Sequence, residues 1–151
     1  MGRFGRSLGA RWEAWQSQMI LVDTSVWIDF FRGQPSAAAT TLAQCLGDAS
    51  VEVGMADLVL FEVMRGFCEN RAIQDAQALL SALPQVEIGG AEHALQAASR
   101  YRQLRAKGRT VNSPIDVLLA SFCMSHGHVL LHRDADFESL HILGGLDTWP
   151  H

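Results

Sequence analysis

Apolar residues fall into short runs separated by polar, Gly- and Pro-rich breaks, and the spacing within each run predicts its element. Met19-Ile20-Leu21-Val22 is a continuous apolar run that stops abruptly at Asp23, as a buried strand does. Thr24 and Ser25 can both cap a helix start, and Val26, Trp27, Phe30 and Phe31 then recur at helical spacing as far as Gly33. Asp23 therefore stands where a core strand ends and a helix begins. In open α/β sheets ligands bind at that edge, although a local cap or turn would also place an Asp there.

The same reading continues down the chain. Gln34-Pro35-Ser36 stops one helix and caps the next, over residues 37–46, which ends at Gly47. Residues 51–53 predict a strand and 56–68 a helix, with Asp57 near its start and Glu62 among Leu58, Phe61, Val63 and Met64. A helix over 70–83 carries Ile73, Ala76, Leu79 and Leu80 at core spacing, and Pro84 breaks it. Residues 86–88 predict a brief strand, and Gly89-Gly90 turns the chain. A long helix over 91–107 has Ala94, Ala97, Ala98, Tyr101 and Leu104 on its inner face.

Ser113-Pro114-Ile115-Asp116 supplies an N-cap, a Pro at the first helical position and an acid at the third, opening a helix to about residue 125. Gly127 ends it, residues 128–131 predict a strand, and Arg133-Asp134-Ala135-Asp136-Phe137 follows that strand's carboxyl end. Residues 141–143 suggest a last edge strand. The alternation of strand and helix predicts an α/β fold, a central, mostly parallel sheet flanked by helices, over residues 19–143. Residues 1–18, Gly- and Arg-rich with Trp12 and Trp15, are expected to be a poorly ordered extension or a docking arm, and residues 144–151 a tail.

Composition narrows the class. With 151 residues, 48% hydrophobic and 19% charged, the chain fits one globular domain with a sizeable core. A net charge of −4 argues against nucleic-acid binding by bulk attraction, but not against a nuclease whose acids are neutralised by cations. Arg102, Arg105 and Arg109 share one side of the long helix's projected end, a solvated face or a phosphate contact; Arg100 and Lys107 point elsewhere. Cys45, Cys68 and Cys123 form no CxxC pair and are expected to be buried thiols in a reducing compartment. His126, His128, His132 and His141 lack zinc-ligand spacing. No apolar run approaches the ~20 residues that span a bilayer, and no export signal is visible, so the cytoplasm is the expected location.

Asp23, Asp134 and Asp136 follow apolar strands, Asp116 opens a helix, and Glu62 sits in an apolar one. Along one edge of a parallel sheet these acids could converge. Several carboxylates share a small pocket only if cations neutralise them. Oxygen-only clusters suit Mg²⁺ or Mn²⁺, ions that assist phosphodiester hydrolysis. Neither a GxSxG elbow nor a Walker A loop is present.

These stretches resemble the PIN-domain ribonucleases found as VapC toxins of bacterial toxin–antitoxin pairs. MILVDTSVWIDFFRG is similar to the family's first motif, LVLFEVMRGF to the helix carrying its second acid, and SPIDVLLASFCMSHGHVLLHRDADF to its third and fourth motifs. The resemblance implies a PIN-like fold, Mg²⁺-dependent endoribonuclease activity (Mn²⁺ as a substitute), a homodimer, and inhibition by a VapB-like antitoxin. It implies Asp23 and Asp116 as primary metal ligands, Glu62 as the residue that positions or deprotonates water, and Asp134 or Asp136 as completing the metal's surroundings. Ser25 would hydrogen-bond a ligand carboxylate or a phosphate oxygen. Arg133 departs from the pattern, since a small polar residue commonly stands there or at the position of His132. Asp29 and Asp57 are expected to be exposed or capping, and Glu138 to face solvent.

Two other readings remain open on the sequence. A phosphatase of the haloacid-dehalogenase type also opens with a strand ending in Asp, but it wants a second Asp where Ser25 stands. A non-catalytic PIN fold would bind RNA or protein without turnover.

Overall fold

A computed structural model describes residues 18–111, 113–133, 136–140 and 145–149. β1 (Ile20–Val22) leads into α1 (Thr24–Arg32) and α2 (Ala37–Leu46), and β2 (Val53–Ala56) into α3 (Asp57–Met64) and α4 (Asn70–Ser81). β3 (Gln85–Val86), α5 (Ala91–Ala106), α6 (Pro114–His126), β4 (Val129–Leu131), α7 (Asp136–Leu140) and β5 (Asp147–Thr148) complete the order. Among the described residues the strands form one sheet in the order β3-β2-β1-β4-β5, every pair parallel. This is the α/β architecture that the alternation predicted.

β1 lies at the centre, with Ile20 opposite both Val53 and Val129. Helices on the faces of a parallel sheet cover its central strands, so β1, β2 and β4 are apolar throughout rather than alternating. All of Ile20, Leu21 and Val22 are buried accordingly, as is Trp27 on α1. Trp27, Phe30, Phe31 and Phe67 continue that core as edge-on and stacked rings between α1 and the turn after α3.

Several expected boundaries shift. β2 is Val53–Ala56 rather than 51–53, because Gly54 belongs inside the strand: a Cβ there would meet Met19 Sδ at 2.9 Å and Leu21 Cδ2 at 3.0 Å. α3 stops at Met64, short of Cys68, which is exposed rather than buried. On α5 Ala97 and Leu104 are buried, whereas Ala94 and Ala98 are exposed and Tyr101 is half-buried. Those three line an open cavity of about 390 Å³ with Val111, Pro114 and Val117. The stretch expected to be a tail supplies β5, which pairs with β4, and Trp149 N–H donates to the Leu130 carbonyl at 2.9 Å. The edge strand expected over 141–143, and the extension before residue 18, lie outside the described residues.

Candidate active site

The carboxyl end of β1 delivers Asp23, held against β4 by its own N–H, which donates to the Leu131 carbonyl at 3.0 Å. Its backbone starts α1: its carbonyl accepts from Val26 N–H at 3.1 Å and Trp27 N–H at 3.3 Å. Its side chain forms no close capping bond. Instead Ser25 Oγ donates to Asp23 Oδ2, and the Asp116 carboxyl lies within hydrogen-bonding reach. Burial raises the Asp23 pKa above its ordinary value; the hydrogen bonds to Ser25 and Asp116 and the nearby N–H groups of Ser25 and Thr24 oppose that rise.

Asp116 arrives by a different route. Ser113 caps α6, its Oγ accepting from Asp116 N–H at 3.4 Å, and Pro114 occupies the first turn. That turn places the Asp116 side chain against Asp23, buried at 8% exposure beside Asp23 at 3%. The N-termini of α1 and α6 both point their positive dipole ends toward these carboxylates.

Glu62 is tied to the same edge. Thr24 Oγ1 donates to Glu62 Oε1 at 2.8 Å, and Arg65 stands 3.8 Å from Oε2. Thr24, which the sequence suggested only as a capping residue, thus links α3 to the residue after Asp23. Among the described residues no three His, Cys, Asp or Glu side chains stand close enough to hold a metal by themselves, so Glu62 is outside the Asp23–Asp116 pair. Asp134 lies outside the described residues, and Asp136 opens α7.

Other expectations change. Asp29 is neither exposed nor capping: it is buried on α1 and ion-paired with Arg133 Nε at 3.0 Å. Its position among the apolar residues of α1 was the available signal, but nothing local indicated a partner in the distant fourth motif. Asp57 accepts from Ile88 N–H at 2.8 Å, joining the start of α3 to the stretch after β3. Glu138 is exposed, as expected. Arg102 and Arg105 are exposed on α5, but the helix ends at Ala106 and Arg109 falls in the following loop, not on a shared helical side. Arg100 bonds Ser121 and Ser125, fastening α5 to α6. His128 Nδ1 accepts from Met19 N–H at 3.1 Å, a structural use.

Fold and site together define an α/β domain with an acidic, oxygen-donor site at the carboxyl edge of its sheet. A family model of the PIN domain matches residues 20–143, and the chain belongs to the PIN-domain family. Ribonuclease VapC11 of Mycobacterium tuberculosis is 33% identical over 120 residues, covering 80% of this chain and 90% of the relative. A VapC ribonuclease of Mycobacterium bovis matches to the same extent. The fold is also that of the DNA-bound VapBC of Salmonella typhimurium, at TM-score 0.70 and 18% identity, covering 87% of this chain and 97% of that one. VapC20 of M. tuberculosis, a sarcin-ricin loop cleaving toxin, superposes at TM-score 0.62 and 22% identity, over 87% and 99% of the two chains. Membership of this family removes the dehalogenase-type phosphatase. Among the described residues no helix is long and apolar enough to cross a membrane.

Proposed function

We propose that the chain is a metal-dependent endoribonuclease, the toxin of a toxin–antitoxin pair, with Asp23 and Asp116 at the centre of its site. The observation that carries this is the buried Asp23–Asp116 pair where β1 ends and α6 begins. Two carboxylates in such contact are both ionised only beside a cation. The donors are all oxygen, which fits Mg²⁺, with Mn²⁺ as a substitute. PIN-domain ribonucleases are metal-dependent in general. Once bound, the ion supplies positive charge for the scissile phosphate and acidity for water.

The chain's own residues do the rest. Asp23 and Asp116 would hold the ion, and Asp134 or Asp136 would complete its surroundings. Ser25 fixes the Asp23 carboxylate by donating to Oδ2. Glu62, oriented by Thr24, positions the attacking water and takes its proton as the new P–O bond forms. The bond from phosphorus to the leaving ribose oxygen breaks, and that oxygen is protonated from solvent. Arg102, Arg105 and Arg109 supply outlying phosphate contacts. The partner is a VapB-like antitoxin, as in the VapBC complexes whose fold this chain shares. The active chain is a homodimer in the cytoplasm.

The test is cleavage of total cellular RNA by the purified chain in Mg²⁺, in excess chelator, and with Asp116→Ala. Cutting in Mg²⁺ alone, lost in the variant, is the expected result. Equal cutting by Asp116→Ala would overturn the assignment, and Mg²⁺ binding without cutting would favour the non-catalytic PIN fold.

A further inference from the structure

From the Asp29–Arg133 pair we infer that Arg133 is an RNA-phosphate contact at the mouth of the site and that Asp29 is the residue that positions it. The inference rests on the ribonuclease reading above. Asp29 is 6% exposed, whereas the Arg133 side chain is 49% exposed. The ion pair uses Arg133 Nε, at 3.0 Å from Asp29 Oδ2. A guanidinium carries five donors in a rigid plane. Held along its inner edge by a buried acid, it turns its outer edge to solvent with its orientation already set.

Its place in the fold gives that edge a use. Leu131, two residues before Arg133, accepts a hydrogen bond from Asp23 N–H, and Asp29 shares α1 with the residues after Asp23. The guanidinium therefore belongs to the carboxyl edge of the sheet, the edge where β1 ends in Asp23. An RNA strand approaching that edge meets acids, on a chain whose net charge is −4. Arg65, close by in sequence to Glu62, stands 3.8 Å from it. A cation fixed in advance offsets the repulsion without the ordering cost of a free arginine.

The experiment measures binding of a short fluorescein-labelled single-stranded RNA of mixed sequence, by anisotropy, in Mg²⁺ and rising KCl. All variants carry Asp116→Ala, which prevents cleavage. Each phosphate contact on a single strand contributes about 0.7 to the slope of log K against log salt. Arg133→Gln should reduce the slope by about that amount and weaken binding several-fold at low salt. Arg133→Lys should keep the slope but bind more weakly, because the point charge lacks the fork. Asp29→Asn should behave like Arg133→Lys, the charge remaining but its orientation lost. In Asp29→Asn/Arg133→Gln the buried charge is gone, so thermal stability should recover while the slope stays reduced. An unchanged slope in Arg133→Gln, or a slope restored in the double variant, overturns the inference and leaves the pair a structural tie. Mg²⁺-dependent cleavage by the otherwise unaltered chain, absent in Asp116→Ala, tests the underlying reading separately. A chain that passes that test yet shows no slope change fails only here.

Discussion

The two ends of the sheet bury ionisable groups in opposite ways. At the carboxyl end the Asp23 and Asp116 carboxyls face each other within hydrogen-bonding reach, both buried. At the amino end His128 is equally buried, but its Nδ1 accepts from Met19 N–H and its ring stacks on Phe122 beside His126 and His93. Burial lowers the His128 pKa, with His126 adding to the effect, so the ring is held neutral and its one described polar contact is satisfied. α6 joins the ends: its N-terminus faces the acids and its C-terminus the histidines. One end is arranged for stability. The other keeps two buried carboxyls in contact, an arrangement that a shared proton or a bound cation relieves, and such pairs mark functional sites.

Substitutions should separate the two ends. The largest effect is expected from Asp23→Asn, which should cut RNA cleavage by ~100-fold or more, as loss of a metal ligand exceeds loss of its outer partners. The same variant should be more stable by ~1 kcal/mol in urea unfolding without metal, because it removes a buried charge. Reduced stability with retained cleavage would collapse the distinction between the ends. His128→Ala should do the reverse, costing ~2 kcal/mol through a lost hydrogen bond and a cavity, with cleavage per folded molecule unchanged.

Acidification sharpens the contrast. A base whose pKa is lower folded than unfolded loses stability as pH falls below its ordinary value, here 6.5, because the unfolded chain binds the proton first. Thermal unfolding from neutral pH downward should show that loss, and it should be smaller in His128→Gln. Ser113→Ala is the mildest change proposed. Losing the α6 cap should cost ~1 kcal/mol and lower cleavage modestly through the placement of Asp116, read as melting temperature and turnover on one preparation.

Local rules explain what could be read before the structure. Ser113-Pro114 and Gly127 state where α6 begins and ends, and both ends fall within a residue or two of expectation because capping is decided by neighbours in sequence. The acids Asp23 and Asp116 were legible because each follows an element boundary, and parallel strands bring such boundaries to one edge. Contacts between distant stretches were not legible. Gly54 looks like a break until Met19 and Leu21 are seen filling the space above it. Asp29 looks like a surface acid until Arg133 arrives from across the sheet. β5 has two residues and no apolar run, so only its pairing with β4 reveals it.

The central position of β1 also sets a schedule. The first strand made pairs with β4, and Met19 waits for His128, 109 residues later, before its hydrogen bond can form. Such long-range parallel pairing closes late, after the entropy of a large loop has been overcome. A ribosome that has released α1 through α5 therefore carries Asp23 without Asp116, and the nascent chain holds half of the acid pair. Synthesis itself acts as a safety catch: the domain is armed only when its final quarter has emerged and docked.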